Sequence, residues 1–137
     1  MKSALMLIAV HLMIANANAS EWLKESAKIF GKWRSEKVVG YSVSPVTIEI
    51  VFYENGNCET VQVIQNRDNK SRSETKGVFL IGNGLILIEE KPQKEDELGS
   101  SSLFSYTIKD STLRLQGVRS KRENLIVLKQ VPVEKDK

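Results

Sequence analysis

Residues 46–64 read VTIEIVFYENGNCETVQVI. Val46, Ile48, Ile50 and Phe52 alternate with polar or smaller neighbours, the period-two pattern of a half-buried strand. Asn55-Gly56 sits in the middle of the run. That dipeptide is the strongest short hairpin signal, because a type I′ turn needs positive φ at both central residues. A two-residue turn there pairs Ile50 with Val61 and Ile48 with Val63, apolar on both arms. A three-residue turn would set Cys58, Thr60 and Gln62 against the apolar face instead. The pattern predicts the two-residue register, with Cys58 on the outer face opposite Tyr53.

The same device recurs twice downstream. GVFLIGNGLILIEE turns at Asn83-Gly84 and pairs Ile81 with Ile86; FSYTIKDSTLRLQ turns at Asp110-Ser111 and pairs Ile108 with Leu113. Eight strands follow, over 32–43, 46–54, 57–65, 74–82, 85–91, 103–109, 112–117 and 124–131. The tight turns all fall at one end of an up-and-down meander. The polar connections NRDNKSRS, PQKEDELGSSS and GVRSKRE fall at the other. A meander of eight antiparallel strands removes both exposed edges by closing into a barrel. Its interior is filled by side chains or holds one small ligand.

Before the strands, SEWLKESAKIF (20–30) reads as a short helix with Trp22, Ser26 and Ile29 at helical spacing. Before the helix, Lys2, an apolar run over 4–15 and Ala17-Asn18-Ala19 form a signal-peptide pattern, cleaved after Ala19. The apolar run is too short to span a bilayer. The expected organisation is a signal peptide over 1–19 and one barrel domain over 20–137, exported to the periplasm or the medium.

Composition excludes much chemistry. The only histidine is His11, in the signal, so the remaining 118 residues hold none for a triad, a proton shuttle or a zinc site. The only cysteine is Cys58, so no internal disulfide forms. Cys58 reads as an exposed, unreactive thiol, with an intermolecular disulfide as the alternative. The part after the signal carries 19 basic and 17 acidic side chains, scattered along the chain. That argues against nucleic acid. No basic amphipathic helix offers a membrane-surface anchor, and no membrane span follows the signal. Glu95-Asp96-Glu97 reads as a solvated loop, with too few ligands at calcium spacing to count as a metal site. The chain is read as no enzyme, with no cofactor and no metal.

Gly31-Lys32-Trp33, after a short helix and ahead of eight up-and-down strands, resembles the opening of a lipocalin-like barrel of the calycin superfamily. The likeness extends over residues 20–137 and is nearest to small bacterial lipocalin-like domains. It implies that the Trp packs across the closed end beneath a basic side chain, Lys129 first and Arg122 second. Two departures stand out: a Thr-Asp-Tyr motif is missing near Asp110, and the first loop shrinks to SVSP.

The implied role is non-catalytic binding of a small apolar ligand. The alternative is a protein inhibitor or protein-interaction barrel with a filled interior, such as a calycin inhibitor of secreted proteases. Candidate ligand-lining residues are Trp33, Tyr41, Ile50, Phe52, Phe79, Ile81, Phe104 and Tyr106. The simpler reading is that Trp33 plugs the closed end and that the inward aromatics fill the barrel as packed core. Val78, Leu80, Leu85 and Leu87 should face outward on the second tight hairpin, the one turning at Asn83-Gly84, yet all are apolar. They are a candidate contact surface for a partner protein or a homodimer. The bland alternative is cover by the N-terminal helix through Trp22, Leu23 and Phe30.

Overall fold

The computed structural model of the chain describes residues 19–40, 45–92, 99–118 and 124–132; the side chains of residues 19–23 lie outside that description. Helix α1 (Ala19–Ile29) leads into β1 (Gly31–Val39). Seven further strands follow: β2 (Val46–Phe52), β3 (Asn57–Gln65), β4 (Lys70–Gly82), β5 (Leu85–Glu90), β6 (Ser100–Lys109), β7 (Thr112–Gly117) and β8 (Leu125–Gln130). Each strand pairs with the next in antiparallel fashion, and β1 pairs with β8. The sheet is a closed up-and-down barrel with no free edge.

Two tight turns form as the sequence predicts. Asn83 and Gly84 both have positive φ and join Gly82 to Leu85, so Ile81 faces Ile86. Asp110 and Ser111 do the same, so Ile108 faces Leu113.

The first hairpin corrects the prediction. Its loop has three residues, not two. Gly56 N–H donates to the Tyr53 carbonyl at 3.0 Å, and Tyr53 N–H donates to the Asn57 carbonyl at 2.9 Å. Only Gly56 has positive φ (87°), and the Asn57 N–H is held by Asn55 Oδ1 at 3.0 Å. This is a type I turn closed by a left-handed glycine. Phe52 therefore faces Cys58, Ile50 faces Thr60 and Ile48 faces Gln62. The reason is Glu59. In the two-residue register it would stand opposite Phe52 and bury a carboxylate among aromatics, which costs far more than a polar mismatch. In the observed register Glu59 is half-buried on the outer face, where it accepts from the Tyr53 hydroxyl at 3.1 Å. Cys58 consequently lies inside, 2% exposed, not on the outer face.

Two strands begin earlier than the sequence suggests. β4 starts at Lys70 rather than 74, so the connection from β3 is four residues rather than a long loop. β6 starts at Ser100 rather than 103. Lys70–Glu74 are exposed on both faces. A ribbon wet on both sides carries no hydrophobic alternation, so its sequence reads as loop.

The core holds Trp33, Ile48, Ile50, Phe52, Phe79, Ile81, Ile86, Ile88, Phe104, Leu113, Leu115, Ile126 and Leu128, with Ile29 of α1 packed among them. Burying each such side chain stabilises by about 1.5–3 kcal/mol. Phe52 and Phe79 meet edge to face at 4.9 Å between ring centroids. A bulge between Ser35 and Lys37 lets the Ser35 hydroxyl accept the Ile48 N–H at 2.8 Å, replacing a ladder bond.

Candidate binding site

The helix seals the end of the barrel where the tight turns lie. Gly31, at φ 118°, turns the chain from α1 into β1. The turn brings the Trp33 side chain back under the helix, where its indole N–H donates to the Ile29 carbonyl at 2.7 Å. Trp33, Ile29 and Ser26 are all fully buried. Phe30 packs edge-on against Phe79 at 6.4 Å.

The basic side chain expected over Trp33 is elsewhere. Trp33 pairs with Gln130, so Lys129 falls on the opposite face, exposed and across from Arg34. Arg122 lies outside the described residues.

Tyr106 has a partner that the sequence does not suggest. Its hydroxyl donates to Glu25 Oε2 on α1 at 3.1 Å. Burial, followed by the negative charge of Glu25, pushes the phenol up to about 12. This contact joins residues 81 positions apart and ties the helix to β6.

Trp33, Ile50, Phe52, Phe79, Ile81 and Phe104 are brought together in this floor, none more than 6% exposed. Tyr41 and the acidic run at 95–97 lie outside the described residues.

Above the floor the inner wall is divided. On β1, β2 and β8 it is aliphatic, through Val38, Val46, Ile48 and Ile126. On β3 to β6 it is polar, through Thr60, Gln62, Ser73, Thr75, Glu90 and Ser100. Ser100 Oγ donates to Glu90 Oε2 at 3.0 Å. None of these polar residues was among the sequence candidates. Their signal was the alternation Cys58, Thr60, Gln62, which the turn chemistry had assigned outward.

Cys58 lies at the base of the polar wall. Burial, then the charges of Glu90 and Glu59, push its thiol up to about 12. A thiol so held is neither a nucleophile nor a ready disulfide partner.

Two clefts open on the outer surface instead. One, of about 220 Å³, runs over Val51 and Val61 between Lys32, Glu49, Glu59 and Arg72. The other, of about 320 Å³, lies beside the first turn, between Tyr53, Asn55, Lys76 and Lys91. Among the described residues no three His, Cys, Asp or Glu side chains converge as metal ligands would.

On the outer strip, Val78, Leu80 and Leu85 are half-buried and Leu87 is 1% exposed. Phe30, one expected cover, points to Phe79 in the interior instead. Trp22 and Leu23 have side chains outside the description.

No family model matches the chain, and no curated protein matches it.

Proposed function

We propose that the chain is an exported, lipocalin-like binding barrel of the calycin type that takes a small, largely apolar ligand without transforming it. The observation that carries this reading is the divided inner wall above a sealed floor. An apolar body would lie on Val38 and Val46, the half-buried part of the aliphatic wall, while Gln62 and Thr75 meet whatever polar atoms it has. The floor residues from Trp33 to Phe104 would then support the site rather than touch the ligand. Tyr106, already committed to Glu25, would not contact it either. Native mass spectrometry of protein purified from its own host tests this. A retained small mass, lost in a Val46→Asp variant that still folds, is the expected result. A ligand-free spectrum, together with no binding of long-chain fatty acids or other amphiphiles, would overturn it.

The second reading is a protein-interaction or protease-inhibitor barrel. The packed floor favours it, since six of the eight candidate lining residues fill space among themselves. The same spectra distinguish it by a co-purifying polypeptide in place of a small mass.

A further inference from the structure

We infer that the outer face formed by β6, β7, β8 and β1 is a docking surface for an anionic lipid bilayer. In the linear sequence the basic residues look scattered. The barrel register gathers four of them. Lys109 faces Thr112, which faces Lys129, which faces Arg34. On the adjacent rung Thr107 faces Arg114, Arg114 faces Val127, and Val127 faces Lys37. Lys37, Lys109, Arg114 and Lys129 are all exposed. None of the four makes an ion pair among the described residues. From β6 to β1 is three strand spacings, roughly 14 Å.

The carboxylates nearby do not neutralise the face. Glu49 is taken by Arg34 at 2.6 Å, with Lys32 at 3.8 Å. Glu36 lies at the bulge on β1 between Arg34 and Lys37, and Asp110 lies in the turn beside Lys109; with Glu49 they are three carboxylates against the five cations Arg34, Lys37, Lys109, Arg114 and Lys129, so the face stays positive. Lys129 stands opposite Arg34, whose charge Glu49 already takes, so Lys129 itself is left facing solvent with no carboxylate of its own among the described residues.

The shape selects the kind of anion. The cations stand apart on the convex outside of a barrel, so they cannot converge on one small phosphate. They fit an extended negative plane. The face also carries apolar side chains: Val127 is half-buried at its centre, and Val118, beyond Gln116 on the same side of the β7 chain, is 48% exposed. Basic groups flanking the half-buried Val127, with the exposed Val118 at one end of the face, suit a headgroup layer better than a nucleic acid backbone. Each cation near such a layer adds roughly fivefold to partitioning, so four add several hundredfold.

The test is co-sedimentation of the purified protein with phosphatidylcholine vesicles, with and without phosphatidylglycerol. A variant with Lys37, Lys109, Arg114 and Lys129 each replaced by Gln is compared with one losing Lys24, Lys28, Lys70 and Lys91. Circular dichroism checks that both fold. Binding is expected only with phosphatidylglycerol, to fade at about 0.5 M salt, and to drop at least a hundredfold in the first variant only. Equal binding to both vesicles, or equal loss in both variants, would overturn the assignment. Tighter capture of a short DNA duplex than of the anionic vesicles would also overturn it, and would give the face to nucleic acid.

Discussion

Trp33→Ala tests whether the helix and the barrel are one cooperative unit. The side chain is fully buried at the sealed end and its N–H bonds to Ile29 in α1. Emptying a buried large aromatic site costs about 3–5 kcal/mol. The orphaned Ile29 carbonyl adds about 1 kcal/mol if water does not reach it. A domain of this size has a total stability of about 5–15 kcal/mol, so a large fraction is at stake. With a urea slope near 2 kcal/mol/M, the midpoint should fall by about 2 M. Trp33→Phe separates the two contributions, since it keeps most of the packing and removes only the donor. Its midpoint should fall by about 0.5–1 M. Far-UV circular dichroism is the proper readout, because both variants lose Trp33, one of only two tryptophans, and with it the fluorescence signal of this site. A loss below about 1 kcal/mol for Trp33→Ala would refute the plug. So would a Phe variant as stable as the parent, which would mean that the bond to Ile29 contributes nothing.

Other outcomes follow from the same geometry. Cys58 should resist thiol reagents at neutral pH and react on unfolding in urea; full labelling of the native protein would contradict its burial. Because the Cys58 thiol is raised from 9.0 to about 12, its contribution to stability is complete below pH 9 and is lost as pH climbs toward 12. Tyr106 is likewise raised, from 10.0 to about 12, so its contribution is complete below pH 10 and lost between there and about 12. Tyr106→Phe should therefore flatten the upper part of the alkaline melting curve, and an unchanged curve would remove the Glu25 contact from the account. Gly77→Ala should be worse than Gly56→Ala. A Cβ at Gly77 would stand 2.1 Å from the Glu89 carbonyl oxygen, whereas one at Gly56 meets nothing within 4 Å and adds only left-handed strain, about 1–2 kcal/mol. The reverse order in urea melts would mean that β4 and β5 are not so closely apposed there.

The sequence alone determined the all-β meander, its strand count, the helix ahead of it and two of three tight turns. Those features are local. Alternation with period two, and positive φ at Asn83-Gly84 and Asp110-Ser111, act over a few residues and are written in them. The tertiary structure decided the first register, because Asn55-Gly56 serves either turn and only the partner strand shows that Glu59 would be buried. It also decided the extent of β4, whose start is wet on both faces and so lacks alternation, and of β6, whose start is a run of three serines with no apolar period to read. The Glu25–Tyr106 bond joins positions that no local pattern relates. So does the cationic face. Lys37, Lys109, Arg114 and Lys129 come from four strands, and their proximity is a property of barrel closure, which brings β8 back against β1.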